Sequence, residues 1–213
     1  MSWTIVKVGG SLYDWPMLGE RLRAWLHELN AERVLIVPGG GAAADAVRAY
    51  DGVHQLGEEA SHWLAIQAVS LNARLLQQLL PEANVIADPR GIRFQSCNAE
   101  PHDWNRMPQV YILDAYPFFQ ADEQTSAPLP HRWHVTSDSL AVRVAALTDA
   151  RELILLKSMA WAGDHWTQAV QAGVVDGYFA EALKQTPDSL RTRIVNLQAW
   201  SPRETSVSSS PTR

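Results

Sequence analysis

The stretch IVKVGGSL, residues 5–12, joins an apolar run to a lysine, two glycines and a serine. A second apolar run ends in VPGGG, residues 37–41. Runs that are apolar throughout are typical of strands buried on both faces of a parallel sheet. In such sheets ligands bind beyond the carboxyl ends of the strands, which is where both glycine clusters lie. The two stretches therefore predict an α/β sheet with a ligand site built from two loops.

Short apolar runs alternate with longer amphipathic segments along the chain, and this alternation predicts a single α/β domain over residues 1–200 with helices on both faces of the sheet. The segment between 88 and 108 is rich in Pro, Gly and Asn, which predicts a loop with a small hairpin. Residues 201–213 are polar and predict a disordered tail. The predicted strands are 3–8, 33–37, 84–87, 109–113, 152–156 and 193–197. The predicted helices are 15–29, one beginning at AAADAVRAY (42–50), 57–80, 137–147 and 178–184.

Composition restricts the classes of function. The 213 residues are 46% hydrophobic and carry a net charge of −5, and no segment forms a basic stripe. This pattern argues against a nucleic-acid partner. No apolar stretch approaches the roughly 20 residues needed to cross a bilayer, and Met-Ser-Trp-Thr is not the start of a signal peptide. With a single cysteine there is no intrachain disulfide, so we expect a cytoplasmic protein.

Lysine is rare in this chain. Only Lys7, Lys157 and Lys184 are lysines among 18 basic residues, and the first two end apolar runs, in TIVKVGG and LILLKS. Lysine provides a compact point charge that arginine does not. Lys7 and Lys157 are therefore candidates for a site that needs such a charge, although lysines also occur at strand ends by chance.

The glycine clusters are Gly9 and Gly10 in the first loop and Gly39, Gly40 and Gly41 in the second. Glycine lets backbone N–H groups converge on one concavity, and a helix that follows adds its positive end. Together with the lysine, the two loops predict a polyphosphate cradle. The spacing matches neither G-x-x-x-x-G-K-[ST] nor G-x-G-x-x-G, and tight strand–helix turns also use glycine for structural reasons alone.

Four motifs occur in the order seen in the amino acid kinase family: VKVGGSL (6–12), VPGGG (37–41), VTSDSLAVRVA (135–145) and LILLKS (153–158). The chain resembles this family over about residues 3–200. The resemblance implies a three-layer α/β/α sandwich of the carbamate kinase-like type, with a mostly parallel central sheet. It also implies a small-molecule kinase that uses ATP and Mg²⁺ and forms a homodimer or a higher homo-oligomer.

The resemblance also implies roles for individual residues. Lys7 would contact the phosphoryl group in transfer, Lys157 would meet the nucleotide phosphates, and Asp138 would orient the lysines and is one candidate for contact with Mg²⁺. The implied catalytic residues are Lys7, Asp138 and Lys157. The implied nucleotide- and phosphate-binding residues are Gly9, Gly10, Ser11, Gly39, Gly40, Gly41, Ser137 and Ser158. The candidate substrate-binding residues are Arg48, His62, Trp133 and Thr136.

Two of the substrate-binding candidates, Arg48 and His62, have a structural alternative. Arg48 could meet an acceptor anion or lie on a solvated helix face. His62, near the start of the long helix, could contact the acceptor or be structural, and Trp133 could stack against a flat ring. The remaining histidines show no spacing typical of a metal site, so no protein-held metal is expected.

Within the family the resemblance is strongest to a branch with TSDS (136–139) and an HWLAI-like helix (62–66). That branch includes the kinase of the aminomethylfuran-methyl phosphate intermediate of methanofuran biosynthesis. It implies transfer of the γ-phosphate of ATP to a phosphate monoester. An amino-acid carboxylate or carbamate acceptor is an alternative. Many relatives have Thr-Asp and a glycine loop where this chain has KSMAWAGDHW (157–166), and this shorter region favours a further alternative, a non-catalytic nucleotide- or metabolite-binding module.

Overall fold

The computed structural model describes residues 2–92, 108–125, 127–163 and 165–202. The hairpin predicted between 88 and 108 and the tail predicted from 201 fall outside these ranges, apart from a few flanking residues. Within them, no helix is long and apolar enough to cross a bilayer.

Six parallel strands form the central sheet, in the spatial order β3-β4-β2-β1-β5-β6. The first strand lies between β2 and β5, so the ends of these three strands meet at one edge. In the register, Val8 of β1 is level with Pro38 of β2 and Leu156 of β5. The strands are β1 (Thr4–Val8), β2 (Arg33–Pro38), β3 (Asn84–Ile86), β4 (Gln109–Leu113), β5 (Glu152–Lys157) and β6 (Arg191–Asn196).

Seven α-helices lie among the described residues and cover both faces of the sheet. The predicted helix over 137–147 has these bounds in the structure, whereas the one predicted from residue 15 begins three residues later, after a turn in which the Trp15 N–H bonds to the Leu12 carbonyl. The helices are α1 (Leu18–Glu28), α2 (Gly41–His54), α3 (Glu58–Leu79), α4 (Ala115–Asp122), α5 (Ser137–Leu147), α6 (Trp166–Gln171) and α7 (Phe179–Leu183).

The core divides into two layers because side chains alternate along each buried strand. Ile5 of β1 packs into the cluster that contains the apolar residues of α4, α5 and α7, whereas Val6 and Val8 pack against α1 on the other face. The long helix α3 contributes to both clusters. The fold is thus a three-layer α/β/α sandwich, as the sequence predicted, and all six of the described strands are parallel.

Candidate functional site

Three charged side chains meet at the carboxyl edge of the sheet. Lys7 on β1 and Lys157 at the end of β5 both contact Asp138, which lies in the first turn of α5. The Lys7 Nζ is 2.7 Å from Asp138 Oδ1, and the Lys157 Nζ is 2.8 and 2.7 Å from the two carboxylate oxygens. These side chains are 4%, 13% and 6% exposed for Lys7, Lys157 and Asp138, so water screens the charges little. We call this group the lysine–aspartate triad.

The electrostatics of the triad follow from its burial. Burial alone would raise the pKa of the Asp138 carboxyl, but the adjacent ammonium groups of Lys7 and Lys157 bring it below the ordinary value. Burial and the charge of Lys7 lower the pKa of Lys157 to about 8. With two ammonium groups and one carboxylate, the triad has one excess positive charge at neutral pH, which favours an anionic ligand.

The two glycine loops are packed backbone to backbone. A Cβ atom added at Gly10 would lie 2.6 Å from the backbone nitrogen of Gly41, and one added at Gly39 would lie 2.6 Å from the carbonyl oxygen of Val8. Gly41, the first residue of α2, has a φ of +49°, which glycine adopts more easily than other residues. Gly10 and Gly39 are therefore required because the backbones approach closely, and Gly41 because of its backbone conformation.

Internal hydrogen bonds hold both loops in place. The Gly9 N–H donates to the Leu156 carbonyl (2.8 Å), and the Gly39 N–H donates to the Tyr13 hydroxyl (2.9 Å). The buried Asn72 of α3 donates its side-chain amide to the Gly39 and Gly40 carbonyls at 2.8 and 2.7 Å. The N–H groups of Gly9 and Gly39 thus shape the loops in this structure.

Asp176 holds the start of α5, and sequence reasoning missed it. Its carboxylate accepts hydrogen bonds from the backbone N–H and the hydroxyl of Thr136 and from the same groups of Ser139. A remote carboxylate therefore fulfils the capping role that is usually local. Because Asp138 lies on this first turn, Asp176 also positions the triad.

Tyr13 and Asn72 were missed as well. Asn72 carried a signal, because it lies with Val69, Ala73 and Leu76 on the apolar face of α3, where a buried amide needs a polar partner. No comparable signal distinguishes Tyr13, whose hydroxyl is buried enough to raise its pKa above the ordinary value.

A cavity of about 300 Å³ opens in front of Lys7, between α2, α3 and the start of α5. We call it the Lys7 cavity. Its floor carries Lys7 and the glycine loops, its walls include Ile66, Val69 and Leu140, and its rim is polar. The predicted site residues that line it are Lys7, Gly10, Ser11, Gly40, Gly41, Arg48, His62, Trp133, Thr136 and Ser137.

The other predicted site residues do not line this cavity. Asp138 and Lys157 stand behind Lys7 in the triad, and Gly9 and Gly39 lie within the loop backbones. Ser158 follows β5, and its hydroxyl is 2.9 Å from that of Ser11, which joins the exposed ends of β1 and β5. All of the predicted residues thus lie at the carboxyl edge of the sheet or around the Lys7 cavity.

The rim of the Lys7 cavity is a network of polar contacts. The Arg48 guanidinium lies 4.8 Å from the centre of the Trp133 ring and is 2.7 Å from Asp45. The Trp133 indole N–H donates to Asp51 at 2.8 Å. Arg48 and Trp133, predicted separately from distant parts of the chain, therefore contact each other at the rim.

The described residues contain no group of three or more His, Cys, Asp or Glu side chains arranged to hold a metal ion. Asp138 is the acidic member of the triad, and ammonium groups already contact both of its oxygens. Mg²⁺ is commonly held by substrate phosphates and water with only one or two protein carboxylates. A site with this donor set fits a magnesium ion that arrives on a polyphosphate.

Comparisons with known proteins agree with the architecture. The family model described as the amino acid kinase family matches residues 2–160. The [5-(aminomethyl)furan-3-yl]methyl phosphate kinase of Methanocaldococcus jannaschii is 29% identical over 152 residues, which cover 71% of this chain. The match spans 63% of that relative, less than two thirds of its length.

Two solved structures share the fold. The uridylate kinase of Archaeoglobus fulgidus superposes with a TM-score of 0.56 at 16% identity, and covers 93% of this chain and 92% of its own. The UMP kinase of Ureaplasma parvum gives a TM-score of 0.56 at 14% identity, with 94% and 91% coverage. At these identities the likeness concerns the fold.

Proposed function

This chain belongs to the amino acid kinase family, and we propose that it is an ATP-dependent kinase that transfers the γ-phosphate to a small phosphate monoester held in the Lys7 cavity. The match to the family model confirms the family that the sequence motifs indicated. The proposal also includes the finer points expected from the sequence: a single domain over residues 1–200, a homodimer or higher homo-oligomer, and a cytoplasmic location.

The observation that carries the proposal is the lysine–aspartate triad beside two glycine loops. Phosphoryl transfer needs positioning and charge stabilisation more than covalent chemistry. In this proposal Lys7 stabilises the charge on the phosphoryl group in transfer, and Lys157 binds the nucleotide phosphates. Asp138 orients the two ammonium groups by accepting hydrogen bonds from both. Magnesium bound to ATP would neutralise further phosphate charge.

Gly10, Gly40 and Gly41 are proposed to direct backbone N–H groups toward the phosphates. Ser11, Ser137 and Ser158 are proposed to add hydroxyl contacts. A phosphate acceptor is already anionic at neutral pH, so the reaction needs no strong general base.

The shape and chemistry of the Lys7 cavity support a small acceptor. Its volume of about 300 Å³ and its apolar walls suit one ring or a short chain, and Arg48 at the rim supplies a cation. Trp133 is proposed to stack on the ring of the acceptor, and Thr136 to contact it. The relative from Methanocaldococcus jannaschii, named for an aminomethylfuran-methyl phosphate substrate, supports an acceptor of this type.

A second candidate function is a non-catalytic module that binds a nucleotide or metabolite. The observation in its favour is that the family model matches only to residue 160, just after β5. The described chain then continues through the short helices α6 and α7 to β6. In this region, from KSMAWAGDHW (157–166) onward, the sequence departs from the pattern of many relatives. A changed nucleotide site here would explain nucleotide binding without turnover.

The test is ADP release from MgATP with a panel of acceptors: phosphate monoesters that include an aminomethylfuran-methyl phosphate, amino acids and carbamate. We expect turnover with a phosphate monoester and a loss of at least about a hundredfold in kcat for Lys7→Met. Lys184→Met is the matched control, because that lysine is exposed and pairs with Glu181 on the surface. If no acceptor is turned over and Lys7→Met leaves ATP affinity unchanged, the kinase proposal is wrong.

A further inference from the structure

A second charged cluster adjoins the Lys7 cavity through His62, which lines it. The His131 ring has its Nδ1 2.6 Å from the Glu59 carboxylate and its Nε2 2.9 Å from the Glu123 carboxylate. Its face stacks on the His62 ring, with centroids 4.0 Å apart and planes 13° from parallel. We call these four residues the histidine clamp. It joins α3 to the end of α4 and to the segment that leads into α5.

The geometry requires a protonated His131. A ring nitrogen that faces a carboxylate must donate, and an imidazole donates from both nitrogens only as imidazolium. Burial would lower the pKa of His131, but the hydrogen bonds to Glu59 and Glu123 outweigh it and raise the pKa above the ordinary value. The side chain is 17% exposed, so the two ion pairs are partly shielded from water.

The same arrangement requires a neutral His62. Its ring lies face to face with an imidazolium, and a second positive charge at this distance would be repelled. Burial and the charge of His131 together lower the pKa of His62 to about 4. His62 is only 9% exposed, yet it lines the Lys7 cavity. It can therefore offer a hydrogen bond there but no positive charge.

We propose that His131 is a positioning residue that holds His62 as a neutral imidazole against the acceptor, and that His62 determines specificity by hydrogen bonding to the organic part of the acceptor instead of its phosphate. The inference rests on the proposed function only in that the Lys7 cavity holds the acceptor. Phosphate charge is met by Lys7 at the floor, whereas a neutral imidazole selects for a hydroxyl or an amine. The substrate class is thus a small phosphate monoester with such a group at its other end.

The surroundings of the clamp define its pH dependence. The described groups that face His131 are Glu59 and His62 from α3 and Glu123 from the end of α4. Beside them, Arg132 pairs with Glu58 at 3.5 Å, and Arg143 pairs with Asp122 at 2.7 Å. Because the raised pKa belongs to a histidine gaining acidic partners, the clamp is intact below that pKa and loosens as the pH rises through it.

The first test follows His62 by NMR in protein with isotope-labelled histidine, and it needs no enzymatic activity. We expect His62 to stay neutral down to about pH 4 in the native protein and to titrate at a higher pH in His131→Gln, still below its ordinary value of about 6.5 because its burial remains. His131→Arg should keep it neutral, since a guanidinium stays charged, bridges carboxylates and stacks on rings. His27→Gln, an exposed change on α1, is the matched control. An unchanged His62 titration in folded His131→Gln would overturn the proposal.

The second test is kinetic. In His131→Gln we expect the KM for the acceptor to rise about tenfold, with kcat within about twofold of the native value. In the native protein this KM should also rise as the pH passes the pKa of His131. His131→Arg should keep the native KM and remove most of that rise at high pH. Acceptors with and without a hydroxyl or an amine should differ in KM with the native protein and converge in His62→Ala. Equal losses for all acceptors, or a fall in kcat that matches a fall in Tm, would contradict the proposal.

An alternative variant and an alternative measurement are available if a variant does not fold or no acceptor is phosphorylated. If His131→Gln does not fold, Glu123→Gln removes one carboxylate of the clamp and should lower the pKa of His131 in the same spectra, and an unchanged His131 titration would overturn the proposal. If no acceptor is phosphorylated, the kinase proposal fails while the NMR result still decides the role of His131. Binding of the same acceptors measured by calorimetry then replaces KM.

Discussion

The two charged clusters of this protein are inversions of each other. In the triad one carboxylate, Asp138, lies between two ammonium groups, and in the clamp one imidazolium, His131, lies between two carboxylates. The first has an excess positive charge and is 4–13% exposed, whereas the acidic partners in the second are 71% and 29% exposed. The buried triad is thus suited to bind an anion, whereas the more solvated clamp orients the neutral ring of His62.

The largest expected effect is that of Asp138→Asn, which leaves two buried ammonium groups without a carboxylate. Removing one partner of a buried ion pair costs about 3 kcal/mol or more in the free energy of unfolding. Urea denaturation should show this loss, and turnover of ATP should fall to background.

Glu123→Gln is the matched control for that change, because it removes one carboxylate from the inverted arrangement. With solvent nearby, we expect a loss below about 1 kcal/mol. Similar losses for Asp138→Asn and Glu123→Gln would mean that burial does not distinguish the two clusters.

Next in size is the pH dependence of Lys157. Folding lowers its pKa from the ordinary 10.5 to about 8, so the free protein loses this charge as the pH rises through about 8. We expect kcat/KM for MgATP, which reports on the free enzyme, to fall about tenfold per pH unit above that value. Lys157→Arg should move the fall to higher pH, since arginine stays protonated.

The lowered pKa of Lys157 affects stability in the opposite direction to activity. Between about pH 8 and 10.5 the unfolded chain binds more protons at this position than the folded protein does, so the contribution of Lys157 to the free energy of unfolding rises with pH. Lys157→Met should remove that rise in denaturation curves measured across this window. A rise of the same size in Lys157→Met would contradict the assignment.

A smaller effect is expected for Asp176→Asn. The variant replaces a carboxylate that accepts from Thr136 and Ser139 with an amide that can accept through one oxygen only. By comparison with other helix caps, we expect a loss of about 1 kcal/mol, measured by thermal denaturation. Because α5 carries Asp138, turnover should fall with stability, whereas Asp149→Asn, in the turn after α5, should leave turnover unchanged.

The smallest effect is expected for Arg48→Gln at the rim. It removes an exposed ion pair with Asp45 and the contact with the Trp133 ring, which together amount to less than about 1 kcal/mol of stability. If Arg48 meets the acceptor, KM should rise severalfold while the unfolding free energy barely changes. A large loss of stability would instead make Arg48 a structural residue.

Much of this fold could be predicted because strong patterns lie in its centre. β1 and β2 are buried along their whole length, so their apolar runs marked them clearly. α5 was found because its Ser-Asp start is an ordinary helix signal. The edge strand β6 begins with Arg191, two residues earlier than predicted, since polar residues alternate in a strand that is covered on fewer sides.

Helices α4 and α6 were not predicted, each for a local reason. Pro117 lies in the first turn of α4, where proline is tolerated, but in the sequence it suggests a break. α6 has only six residues, too few for a helical period to emerge. Tertiary packing decides such short elements.

The site was predictable in its parts but not in its connections. Lys7, Asp138 and Lys157 each carried a sequence signal, whereas their meeting depends on β1 lying between β2 and β5 in the sheet order. Asp176 acts through four long-range hydrogen bonds and Tyr13 through one, and such contacts leave no periodic trace in the sequence. The stacking of His62 on His131 likewise depends on a segment distant in sequence.

Asn72 has a consequence that reaches beyond the hydrogen bonds it makes. A peptide group is planar and usually trans, so a carbonyl drawn in one direction turns the N–H of the next residue in the opposite direction. By attracting the Gly39 and Gly40 carbonyls, this amide orients the N–H groups of Gly40 and Gly41 away from itself. One side chain in the middle of α3 thereby sets the polarity of the loop, and an Asn72→Asp change would favour reversed peptide planes there.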